Sequence, residues 1–141
     1  MKSDFHVNFL TLFPEMFPGT LGLSIAGKAL KENKWSYDII NIRDFADDKH
    51  ATVDDIPYGG GAGMVMRADV LGKAVESVLN GRKDVPVLYP SPRGEIITQR
   101  MVEETVKLKE IIIICGRYEG VDQRFLDFDH IYYSCDRICT W

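Results

Sequence analysis

Four isoleucines in a row, Ile111, Ile112, Ile113 and Ile114, lie between Glu110 and Cys115. Side chains alternate across a β-strand, so an unbroken apolar run loads both of its faces. A strand of that kind belongs inside a sheet covered on both sides, the usual setting of parallel strands. The chain has 141 residues, one domain's worth and enough to bury such a strand.

The segments before it alternate in type. Residues 5–13 read as a strand carrying Val7, Phe9 and Leu10, halted by Pro14, which cannot donate to a ladder. Residues 21–30 have helical spacing, with Leu23, Ala26 and Leu30 on one side. Residues 35–42 alternate as a second strand, with Tyr37 and Ile39 inward. A helix is expected over residues 67–79, where Val70, Leu71, Ala74, Val75 and Val78 recur at three- and four-residue steps. A short strand over 85–89 and a helix over 98–108, capped by Thr98, lead into the isoleucine strand; a turn and a short helix around Val121 follow. The order β-α-β-loop-α-β-α-β predicts an α/β domain with an open, mostly parallel sheet. Ligands of such sheets sit beyond the carboxyl ends of the strands, where the strand order reverses.

The formal net charge is −4. That is the wrong sign for a phosphate binder, unless the basic groups gather on one face or a basic portion lies outside the chain. Cys115, Cys135 and Cys139 form no disulfide framework. Cys115 reads as a buried strand residue. Cys135 and Cys139, with His130 nearby, lack the four suitably spaced ligands of a structural metal site. No signal peptide opens the chain, and no apolar run approaches the ~20 residues of a membrane span. A cytoplasmic protein without membrane contact is expected.

Chemistry is expected in three loops. Residues 43–66 form the longest, and long loops of this kind are commonly functional. It ends in Pro57-Tyr58-Gly59-Gly60-Gly61-Ala62-Gly63, whose glycines permit positive φ and close backbone approach. A phosphate cradle is the obvious reading, but neither nucleotide-loop spacing fits, since Met64 stands where a glycine is required. Next, Tyr89-Pro90-Ser91-Pro92-Arg93-Gly94 reads as a stiff turn at a strand's carboxyl end, compatible with a plain turn or with a slot for a flat adenine ring. Last, Gly116-Arg117-Tyr118-Glu119-Gly120-Val121-Asp122-Gln123-Arg124 joins a buried strand to a helix. Its Glu119 and Asp122 suit a cationic ligand or a metal, and Arg117 and Arg124 suit phosphate; intraloop ion pairs are the plainer alternative.

Together these loops resemble one family, the bacterial tRNA (guanine-N1)-methyltransferases of the TrmD type. The resemblance rests on Thr11-Leu12-Phe13-Pro14-Glu15-Met16-Phe17, on Asp44-Phe45 with Thr52-Val53-Asp54-Asp55, on the Gly-rich loop through Met64, and on Ser91-Pro92-Arg93-Gly94. Cys115-Gly116-Arg117-Tyr118-Glu119-Gly120 with Asp122 and Arg124 completes it. It implies a SPOUT-class fold whose trefoil knot holds S-adenosylmethionine, and a homodimer whose subunits share each active site. The implied reaction is methylation of N1 of the guanosine just 3′ of the tRNA anticodon. Tyr89, Pro90, Ser91 and Pro92 would form one cofactor loop, and Gly116, Tyr118, Glu119 and Gly120 a second. Asp54, Asp55, Tyr58, Gly59, Gly60 and Arg124 would lie on the tRNA or interface side. A divalent metal such as Mg is implied too, with Glu119 as candidate ligand. An aspartate would remove the proton of guanine N1, and an arginine would stabilise the guanine oxygen; the aspartate is expected beyond Trp141.

The resemblance fades near Phe128, so residues 1–128 read as a partial cofactor-binding domain and 129–141 as a divergent tail with no usable helical or strand period. A third cofactor wall, the knot closure and a C-terminal tRNA-binding domain would be missing, as after a frameshift or premature stop. The isoleucine strand would then lose a sheet neighbour, and the chain alone would bind cofactor weakly or not at all and show no turnover. The alternative is a non-catalytic remnant, an interaction module able to dimerise through the face of the Gly-rich loop.

Overall fold

The computed structural model describes residues 3–127 and the backbone of residues 131–135. Its centre is a five-stranded sheet built from β1 (Phe5–Thr11), β2 (Trp35–Asn41), β5 (Val87–Ile96), β6 (Glu110–Ile114) and β7 (Ile131–Cys135). The strand order is β2-β1-β6-β5-β7, and every pairing is parallel. A separate two-residue antiparallel pair, β3 (Asp54–Asp55) with β4 (Val65–Met66), lies inside the long loop. The helices are α1 (Ser24–Lys31), α2 (Ala68–Leu79), α3 (Gln99–Lys107) and α4 (Gln123–Leu126).

The isoleucine run is β6, and it sits between β1 and β5. Its alternation divides the core in two. Ile112 and Ile114 join Leu10, Val87, Tyr89 and the apolar side of α2 on one face. Ile111 packs with Val7 and Phe9 on the other, where Phe17, Trp35, Tyr37 and the half-buried Ile113 close over them. The expected positions of α2 come out as drawn: Val70, Leu71, Ala74 and Val75 are buried and Val78 packs against them. Thr98 caps α3, its hydroxyl oxygen accepting from the Met101 N–H at 3.3 Å. The Trp35 indole donates to the Ala26 carbonyl at 2.9 Å, tying α1 to β2. At Gly27 a Cβ would fall 2.1 Å from the Gly22 carbonyl oxygen, so only glycine lets the chain fold back there.

Two expectations need correction. Residues 131–135 are not shapeless but form β7, the neighbour of β5, and β6 has partners on both sides and loses none. Nor does the Pro-containing segment follow the end of a strand. It lies within β5 as a bulge, where the register to β7 shifts between Pro90 and Glu95, both opposite Ser134. An outward loop of this size accommodates two prolines that a continuous ladder would exclude. His130 and Cys139 lie outside the described residues, and of Cys135 only the backbone is described.

Candidate functional site

The loop between β3 and β4, the loop after β6 and the bulge within β5 converge at the carboxyl end of the sheet, and Met66 is the peg that joins the first two. Fully buried, it donates its N–H to the Gly120 carbonyl at 2.9 Å and accepts from the Asp122 N–H at 3.0 Å. Its sulfur lies 3.4 Å from the Arg117 backbone N–H, and it pairs with Asp54 across β3 and β4. Just before Gly120 and Met66 in the chain, the Glu119 N–H donates to the Met64 carbonyl at 2.9 Å. The end of the Gly-rich loop and the loop after β6 are therefore one body. Sequence patterns offered no sign of Met66, because its role depends on partners some fifty residues away.

Tyr89 supplies the second junction. It is buried, and a Cβ on Gly116 would stand 2.8 Å from its Cε2 atom, so the ring takes the space a side chain there would need. Its hydroxyl is 3.5 Å from the Cβ position of Gly120. Burial raises the phenol above its ordinary pKa, with the Arg93 charge and the Val121 backbone acting in the opposite sense. Of the expected cofactor residues, Tyr89, Gly116 and Gly120 are thus brought together. Pro90 and Pro92 are exposed on the bulge, where the Ser91 hydroxyl accepts from the Arg93 N–H. Tyr118 and Glu119 are exposed, Tyr118 with a positive φ of 63°.

Glu119 leans on the Gly-rich loop. A Cβ on Gly63 would meet its Cγ at 2.3 Å, and Gly63 has φ +84°. Nothing approaches Gly59 or Gly60, which also have positive φ. Tyr58 is exposed, and the Arg124 guanidinium lies over its ring at 4.6 Å from the centroid. Asp55, Arg67, Asp69 and Arg124 share a hollow of about 310 Å³. So Asp55, Tyr58 and Arg124 of the expected substrate set converge, while the backbone of Asp54 pairs with Met66.

Asp122 does not fill the expected role. It is buried and committed: Oδ1 accepts from the Arg124 N–H and Nε, and Oδ2 from Nη2 at 2.6 Å. These bonds hold its carboxyl below the usual range against the opposing effect of burial. Capping α4 and fixing Arg124 leave it closed to an outside cation. Among the described residues no three His, Cys, Asp or Glu side chains, Glu119 included, gather into a metal-binding group.

A family model for tRNA (guanine-1)-methyltransferase TrmD matches residues 5–136, past the point near Phe128 where the motif resemblance fades. Proteins named tRNA (guanine-N(1)-)-methyltransferase are similar over most of the chain. The one from Rickettsia akari is 56% identical over 125 residues, 89% of this chain and 53% of its own length. That from Wolbachia pipientis is 55% identical over 123 residues, 87% of this chain and 53% of its own. The Ehrlichia ruminantium protein is 52% identical over 128 residues, 91% and 54% respectively. The chain spans about half the length of the curated relatives it matches.

Proposed function

The chain belongs to the tRNA (guanine-1)-methyltransferase family, and from that premise we propose that it is the S-adenosylmethionine-binding half of an enzyme that methylates N1 of the guanosine 3′ of the tRNA anticodon. One observation carries this: Tyr89 seated between Gly116 and Gly120 makes a single wall of the β5 bulge and the loop after β6. When bound, S-adenosylmethionine supplies an electrophilic methyl group on a sulfonium. Tyr89, Pro90, Ser91, Pro92, Gly116, Tyr118, Glu119 and Gly120 would hold it. Stiff prolines and bare glycine backbone suit a flat adenine, and the exposed Glu119 carboxylate suits a cation. Gly63 is the glycine that leaves Glu119 its place. A divalent ion such as Mg at Glu119 would draw its other oxygens from water or substrate.

Asp54, Asp55, Tyr58, Gly59, Gly60 and Arg124 would face the tRNA or a second subunit. Arg124, anchored by Asp122 and still more than half exposed, suits a phosphate, and the Tyr58 ring beneath it suits a stacked base. The residues of this chain position the reactants for loss of the guanine N1 proton. Homodimerisation is proposed through the Gly-rich face, where Ile56, Tyr58 and Met64 are exposed together. The SPOUT-type knot and a cytoplasmic location belong to the same reading; no helix among the described residues is long and apolar enough to cross a membrane.

The test is a chimera in which residues 5–136 replace the matching half of the Rickettsia akari relative. The expected result is a methyl group at N1 of that guanosine in a tRNA transcript. A folded chimera that binds the transcript yet leaves it unmethylated overturns the proposal and favours a non-catalytic remnant.

A further inference from the structure

The strand order turns back on itself between β1 and β6. From β1 the chain moves one way, to β2; from β6 it moves the other way, past β5 to β7. In open parallel sheets the crevice at such a divergence is where ligands bind. Here it holds a cleft of about 630 Å³, well within the size range of ligand sites. Of the proposed cofactor residues around β5 and β6, only Gly116 borders it. The cleft is walled by the loop after β1, with Phe13, Phe17 and Leu21, and by Cys115, Gly116 and Arg117. The Thr11-to-Phe17 motif, which the cofactor and Gly-rich sites leave unused, is its main wall.

Arg117 gives the cleft its chemistry. Its guanidinium sits 4.9 Å from the Phe13 ring centroid and 5.4 Å from that of Tyr118. Arg67, Arg82, Arg100 and Arg124 each hold a carboxylate, whereas Arg117, like Arg43 and Arg93, has no ion-pair partner among the described residues. An apolar cleft with a flat, unpaired cation at its rim complements a flat ligand with an anionic tail. Phosphate alone would leave the apolar walls unused, and a neutral aromatic ligand would leave Arg117 unused. A nucleotide of single-stranded RNA uses both, its base splayed into the cleft and its phosphate on the guanidinium.

We propose that this cleft takes one unstacked nucleotide of the RNA substrate, apart from the base that is methylated. That the nucleotide comes from RNA rests on the function proposed above; the chemistry of the cleft does not. The test is amide chemical-shift mapping of the chain with guanosine monophosphate, guanosine and inorganic phosphate as separate probes. Guanosine monophosphate is expected to shift Phe13, Met16, Phe17, Thr20 and Leu21. Guanosine, or Arg117→Ala with the monophosphate, is expected to bind about tenfold more weakly. Equal binding of guanosine, undiminished binding by Arg117→Ala, or the same shifts from phosphate alone would overturn the proposal. Titration of the same sample with S-adenosylmethionine reads Tyr89, Ser91 and Gly120 instead. Silence there with shifts in the cleft sinks the cofactor reading only; the reverse sinks the cleft only.

Discussion

Gly63 and Gly59 share nearly the same backbone angle, φ +84° and +86°, but not the same surroundings. A Cβ at Gly59 meets open space, whereas at Gly63 it strikes Glu119. Alanine at either position is strained by the positive φ, costing about 1–3 kcal/mol. Gly63→Ala is expected to cost about 1 kcal/mol more than Gly59→Ala, and Glu119→Ala in the same chain should remove that excess, as a double-mutant cycle in urea reads. Asp122 makes a different prediction. Because Arg124 holds its folded pKa below the unfolded value, it stabilises the fold above the ordinary carboxylate range. That contribution drains away as pH falls through the lowered folded value. Asp122→Asn is therefore expected to lose about 1–2 kcal/mol near neutrality, the exposure of Arg124 limiting the loss. It should lose much less further stability than the parent chain between about pH 5 and about pH 2. Urea midpoints across that window check it.

Among the elements, those set by their own periodicity were legible in the sequence. The buried stripe of α2, the Thr98 cap and the isoleucine strand each follow from residues close in the chain. Others follow from distant partners. Strand β7 carries Ile131, Tyr132 and Tyr133, good strand formers, but what makes it a strand is its pairing with β5. The β5 bulge was read as a turn for the same reason: two prolines exclude a ladder locally, and only β7 shows that pairing resumes at Glu95. Stability should follow burial. Ile112→Ala in β6 is expected to cost about 2–5 kcal/mol by chemical denaturation. Val102→Ala is expected to stay within about 0.5 kcal/mol, since α3 buries no residue.

Over the whole molecule, the candidate site is assembled from three separate stretches, around residues 54–66, 89–96 and 116–124. Their motifs could be read one at a time, and Tyr89, Gly116, Gly120, Asp55, Tyr58 and Arg124 are the expected residues that converge. Their joints could not, because Met66, the Tyr89 seat on Gly116 and the burial of Asp122 are tertiary facts. The acidic balance of the chain also loses its force as an objection to RNA, since binding depends on where cations stand: Arg124 is presented over Tyr58 and Arg117 at the β1–β6 cleft. For the homodimer proposed through the Gly-rich face, Ile56→Asp is expected to shift sedimentation from dimer toward monomer, while an unchanged dimer would move the interface elsewhere. The central claim is that Tyr89, the β5 bulge and the loop after β6 form one cofactor wall. Amide mapping with S-adenosylmethionine tests it most directly. Shifts confined to Tyr89, Ser91 and residues 116–120, weak in affinity and abolished by Gly116→Ala, are the predicted result; shifts elsewhere, or binding indifferent to Gly116→Ala, would contradict it.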